Sequence, residues 1–377
     1  MRNEDIIYLD NAAASPVSSE TLSFFNEQFL RCYSNQEAAH ASARECRLKL
    51  DEAAEKLSFY ITGTSGAGVF WTNSGTEALN AVLEMPLFKK GNTVSSPAEH
   101  PALRSAINRQ CSEVRIAGVS ADGSVDPEEL ERLLDANTVL AAFHHVQSET
   151  GALQNLCAIS EIIKRRSPSA LFLSDTIQSA CKLAIPWKDA SLDFAFVSGR
   201  KIGAPGGAAV IYRDVCMKSY FDALRSEQHR FSRVEPAIIL TLAECAERLE
   251  KERNNEIRRI EGLNAYLRKK LSGMNLQDGK KIKISLPENS ASPYILHFLL
   301  PGFQSAVILR MLSERGIMLA AGSACEAETK TPSPVLLAMG ISKQDAYSAL
   351  RISFWNNISA SDLDIFLGDL EKVILSY

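Results

Sequence analysis

The chain has 377 residues, 46% hydrophobic and 23% charged, and its 41 Lys and Arg against 45 Asp and Glu leave a formal net charge of −4. That length suits two domains. The composition is that of an ordinary globular protein, and the near balance of charge excludes a general nucleic-acid binder, which carries a basic excess. No run approaches the roughly 18–20 apolar residues of a membrane span. The polar start, residues 1–5, is followed by no apolar signal region, so the expected setting is cytoplasmic, with no membrane partner. Cysteines at 32, 46, 111, 157, 181, 216, 245 and 325 form no C-x-x-C pair. They are expected to be reduced thiols, not disulfides or metal ligands, and by default buried small hydrophobes.

In chain order, short apolar runs at 69–72, 139–143, 170–173, 194–197 and 209–212 predict strands buried on both faces. Helical patterns fall between them, as at 127–134 and 158–165. This alternation implies a largely parallel sheet covered by helices, with ligands beyond the carboxyl ends of its strands. A long charged helix is predicted from Pro236 to Ser272, with Gly273 as its stop. After it come expected strands at 282–286 and 294–300, a helix at about 303–315 and a closing helix at 360–376. The turn 203–207 is glycine-rich but fits neither a dinucleotide fingerprint nor a phosphate-binding Walker loop.

Polar residues just after the strands carry the candidate chemistry. Thr72-Asn73-Ser74-Gly75-Thr76-Glu77 enters a helix, whose free N–H groups and dipole suit an anion. Read alone, such a segment is more often an ordinary helix cap. Asp175 follows Leu171-Phe172-Leu173, and an acid at that edge can hold a pyridinium N–H; it can also simply cap a helix. Lys201 closes Ser198-Gly199-Arg200-Lys201 beside the glycine-rich turn. A lysine there becomes nucleophilic if burial or a neighbouring cation such as Arg200 lowers its pKa.

In this order, the helix start, Asp-x-x-Gln and Ser-Gly-x-Lys resemble the fold-type I pyridoxal-phosphate enzymes of aminotransferase class V. The resemblance runs from Tyr8-Leu9-Asp10-Asn11-Ala12-Ala13 to Arg351-Ile352-Ser353 and is nearest to the cysteine desulfurases of the NifS/IscS type. It implies an α/β, aspartate aminotransferase-like PLP-dependent transferase fold. The large, mostly parallel domain would span 15–245. A smaller α+β domain would be built from 1–14 and 246–377.

The resemblance also implies roles. Lys201 is the lysine that binds pyridoxal 5′-phosphate covalently, Asp175 partners the pyridine nitrogen, Gln178 donates to the ring 3′-oxygen and His100 stacks on the ring. Gly75, Thr76 and Ser198 hold the phosphate. Arg351 clamps the substrate carboxylate, with Asn35 as a second contact. Cys325, in Gly322-Ser323-Ala324-Cys325 followed by Pro332-Ser333, is the residue that takes the sulfur. With Lys201 and His100 it forms the expected catalytic set, and no metal is expected. The implied reaction converts L-cysteine to L-alanine with a persulfide on Cys325. A homodimer would then pass sulfur to an acceptor protein for iron–sulfur clusters or thiolated products. Selenocysteine lyase, an aminotransferase, or a non-catalytic scaffold are the alternatives.

The chain departs from the family pattern at three places. Ser148 stands where an asparagine contacts the cofactor, which puts one hydrogen bond in doubt. Arg200 replaces a histidine and can still pair with phosphate. After Arg233 the chain reads Val234-Glu235-Pro236, where the family has Gly-Thr reaching a neighbouring subunit's phosphate. Glu235 would repel phosphate if it pointed inward.

Overall fold

The computed structural model describes residues 6–214, 217–227, 233–276, 279–322 and 331–377. The first part runs β1 (Ile7–Tyr8), α1 (Ser19–Arg31), α2 (Ala41–Thr62), β2 (Gly68–Thr72), α3 (Gly75–Leu83), β3 (Asn92–Ser95), α4 (Pro101–Gln110), β4 (Glu113–Ile116), α5 (Pro127–Leu133), β5 (Thr138–His144), α6 (Leu156–Arg166), β6 (Leu171–Asp175), β7 (Phe194–Ser198), β8 (Ala208–Tyr212) and α7 (Lys218–Glu227). The helix α8 (Pro236–Gly273) follows. The rest is β9 (Lys283–Ile284), β10 (Ile295–Leu299), α9 (Ser305–Ser313), β11 (Ile317–Met318), α10 (Pro334–Ala338), α11 (Lys343–Ala346), β12 (Ala349–Ser353) and α12 (Ala360–Ser376).

Seven strands form one sheet in the order β2-β8-β7-β6-β5-β3-β4. It is parallel except for β8, which runs against both β2 and β7. The apolar runs work as expected, because side chains alternate between two faces along a strand. Phe194 and Phe196 enter one core with α3, α4 and α7. Ala195 and Val197 enter the other, under α2 and the first half of α8. Two strands do not read as apolar runs. In β3, Asn92 and Ser95 are buried and satisfied by Asp135 and by the Ala142 carbonyl; β4 is a partly exposed edge.

The long helix α8 joins two cores. Leu242 and Ala246 pack in the first core, and Ile260, Leu267 and Leu271 in the second. The second core lies against a three-stranded antiparallel sheet, β12-β10-β9. The expected strand 282–286 shrinks to two residues, since Pro287 ends it at the sheet edge. Phe298, in the middle of β10, is fully buried in this core. Phe298→Ala is therefore expected to cost about 3–5 kcal/mol, read as a lower urea midpoint at unchanged slope.

Among the described residues no helix is long and apolar enough to cross a membrane. Of the cysteines, 32, 46, 181 and 245 are buried, whereas Cys111 and Cys157 are partly exposed, at the end of α4 and the start of α6.

Candidate active site

Because β2, β3, β5, β6 and β7 run in one direction, their carboxyl ends meet at one edge. There a cavity of about 290 Å³ is walled by the residues following each strand. The Ala12-Ala13 segment and Arg351 of β12 close it from the other side.

Lys201 reaches this cavity from a single turn, Gly199–Lys201, directly after β7. That turn tolerates no side chain at 199: a Cβ there would lie 2.0 Å from the Gly206 carbonyl oxygen. Lys201 Nζ donates to the carbonyls of Ala12 at 2.8 Å and Ala13 at 2.5 Å. Burial, chiefly, lowers its pKa to about 8, with Arg351 and Arg200 adding to the effect while Asp10 and Asp175 oppose it. The amine is therefore neutral far more often than that of an exposed lysine.

Asp175 ends β6 and is buried, with Oδ1 accepting from the Ile177 amide at 3.1 Å. Burial raises its pKa and the nearby His100 opposes the rise. His100 caps α4, its Nδ1 accepting from the Ala102 amide at 3.1 Å, which leaves Nε2 for other partners. Burial pushes the imidazole pKa down, against the pull of Asp175. Gln178 Nε2 donates to the Ala12 carbonyl at 2.9 Å, and its buried Oε1 has no protein partner.

The nine-residue helix α3 begins at the same edge. Ser74 Oγ accepts from the Glu77 amide, and the Asn73 amide donates to Glu77. Gly75 and Thr76 then present first-turn N–H groups to the cavity, with Ser198 and Arg200 beside them. A Cβ on Gly75 would come within 2.6 Å of Ile177, so glycine lets the helix start pack on the Asp175 turn.

Arg351 is 4% exposed. Its Nη1 donates to the Ser148 carbonyl at 2.8 Å and its Nη2 to Asp10 Oδ1 at 2.5 Å. Ser148 thus contributes its main chain to the wall through this contact. Asp10, Glu149 and the carbonyls of Ala12 and Ala13 were not singled out by sequence reasoning. Glu149 is buried and accepts from Ser333 Oγ at 2.7 Å, tying the wall to the Pro332-Ser333 pair. Only position could have flagged Asp10, inside the quoted Tyr8–Ala13 stretch.

The structure does not bring every expected residue here. Asn35 is exposed, accepts from the Glu37 amide at 3.0 Å, and does not line the cavity. Glu235 sits at the start of α8, away from the cavity wall. Cys325 and Ser323 lie outside the described residues.

A lysine, a buried carboxylate and a helix N-terminus converging at the carboxyl edge of a mostly parallel sheet define an α/β enzyme scaffold of the aspartate aminotransferase-like class. The chain belongs to the aminotransferase class-V family, whose profile matches residues 7–366. It is 24% identical over 378 residues to the cysteine desulfurase IscS of Dictyoglomus turgidum, covering 98% of this chain and 94% of the relative. It is 27% identical over 372 residues to the cysteine desulfurase IscS of an Anaeromyxobacter species, covering 95% and 90%. A NifS-like protein from Rickettsia africae shares the fold with a TM-score of 0.84 at 24% identity, over 98% of this chain and 99% of that one.

Proposed function

We propose that this chain is a pyridoxal-phosphate-dependent cysteine desulfurase that converts L-cysteine to L-alanine and takes the sulfur as a persulfide on Cys325. The observation that carries the reading is the placement of the Lys201 amine in one cavity with buried Asp175 and buried Arg351. Family membership and the names of its relatives support it.

The residues present fit the cofactor. The α3 start, with Ser198 and Arg200, suits its phosphate, Lys201 its aldehyde, and Asp175 its ring nitrogen. The buried, unpartnered Gln178 Oε1 marks the same wall as polar and unsatisfied. When bound, the cofactor supplies an electron sink for charge released at the substrate α-carbon. The protein does the rest. Arg351 receives the substrate carboxylate. The Lys201 amine removes the α-proton. His100, whose charge acts on Asp175 and whose Nδ1 is taken by its helix cap, serves as the proton carrier through Nε2. Cys325 thiolate attacks the substrate sulfur: an S–S bond forms, the C–S bond breaks, and the electron pair left on carbon is protonated on the way to alanine. A sulfur-acceptor protein then takes the persulfide sulfur.

The test follows labelled cysteine into alanine and protein-bound sulfur together. The parent should form both in equal amounts before an acceptor is added. If Cys325→Ala leaves sulfur release from cysteine intact, the persulfide route is wrong, and a selenocysteine-lyase type of reaction or another β-elimination becomes the better reading.

Two further expectations belong to this proposal. Cofactor uptake by the apoprotein needs a neutral Lys201 amine. Its rate should rise with pH, with a midpoint near 8, and level off above it, against 10.5 for an ordinary lysine. A plateau reached only near the ordinary value would show that the amine is solvated. The chain is also proposed to work as a homodimer. Leu22, Phe29, Leu30 and Tyr33 stay exposed along and just beyond α1, an apolar surface a second copy would cover. A monomeric mass at full activity would refute that.

A further inference from the structure

His297 lies in β10 directly opposite Arg351 in β12. The main chain of Arg351 spends both its hydrogen bonds on Ala320, donating at 2.8 Å and accepting at 3.2 Å. The main-chain oxygen of His297 accepts from Ser285 on the far side, at 3.1 Å. The His297–Arg351 pair is therefore of the non-hydrogen-bonded kind, in which side chains share a face and approach most closely. Both side chains are buried, at 2% and 4% exposure.

Each of the two carries one buried nitrogen without a protein partner, Nε2 of His297 and Nε of Arg351. The other imidazole nitrogen, Nδ1, lies 2.6 Å from Ser285 Oγ. A guanidinium beside a neutral imidazole favours the ring lone pair on its own side. That puts the proton on Nδ1, donated to Ser285 Oγ, and leaves Nε2 as an acceptor. Burial and the Arg351 charge both hold this imidazole neutral, with its pKa lowered to about 3.

We propose that His297 is a positioning residue for Arg351, its Nε2 accepting the Arg351 Nε–H across one buried water. The Ser148 carbonyl and Asp10 hold the two Nη groups, and His297 holds the third corner from behind. The plane of the guanidinium is then set before a carboxylate arrives. Planar, two-pronged recognition depends on that orientation. The inference rests on the reading of Arg351 as the substrate-carboxylate clamp.

Two polar replacements separate the nitrogens. Asparagine mimics Nδ1 and keeps the Ser285 contact; glutamine reaches the position of Nε2. In the holoenzyme, His297→Asn is expected to weaken L-alanine binding, followed by the cofactor spectrum, by about tenfold. KM for cysteine should rise in step and kcat should hold. His297→Gln should bind alanine close to the parent. Binding of cysteamine, which lacks the carboxylate, should be unchanged in both. Arg351→Lys serves as the reference. If it loosens alanine while His297→Asn does not, or while Asn and Gln lose equally, the positioning role is overturned and the clamp stands. If Arg351→Lys leaves alanine binding unchanged, the clamp reading itself fails. Loss of cysteamine binding in His297→Asn would show general damage and also overturn the proposal.

Discussion

Lys201→Ala protein is expected to lose at least about a thousandfold of its desulfuration rate and the visible absorption of a covalently held cofactor. Among the described residues that wall the cavity, Lys201 is the one primary amine, and the other basic side chains there are arginines and histidines. Arginine keeps its proton and serves neither as nucleophile nor as base. A second lysine, Lys182, lies nearby but offers no rescue. It is 3% exposed, lies over the Tyr294 and Trp355 rings, and does not reach the cavity wall. A Lys201→Ala variant that still took up cofactor with a parent-like spectrum and turned over cysteine would end the case for this site.

Asp175→Asn should separate cofactor retention from chemistry. The covalent hold through Lys201 is untouched, so the protein should stay coloured. Turnover should fall by about a hundredfold or more, because a neutral amide cannot keep a ring nitrogen protonated as a carboxylate does. The native carboxylate is buried and its pKa is raised, while His100 nearby stabilises its charge. Asparagine preserves the shape and the bond from the Ile177 amide but not that charge. Single-turnover rates at saturating cysteine give the comparison, and a rate within a few-fold of the parent would remove Asp175 from its assigned role.

Much of the site was legible because the signals are local. Asp175 and Lys201 each follow a continuous apolar run, and a strand buried on both faces in a parallel sheet delivers its next residue to the carboxyl edge. Seen from there, the expected positions of Gly75, Thr76, His100, Gln178 and Ser198 all line one cavity. The closing helix and the long helix ending at Gly273 were equally legible from periodicity and stop residues. The reversed direction of β8 was not, since an apolar run carries no sign of which way it is paired.

What the chain's order of residues determined by itself was its element types, the two-faced burial of its sheet, and the offer of an amine and an acid at strand ends. Those depend on neighbours within a few positions. Tertiary structure alone decided which groups meet across hundreds of residues. Asp10 and Ser148 take up the Arg351 guanidinium, His297 lies opposite it in the next strand, the Ala12 and Ala13 carbonyls receive Lys201, and Asn35 is left in solvent. Hydrogen-bond partners and desolvation follow from strand pairing and chain crossing, and no local pattern encodes either.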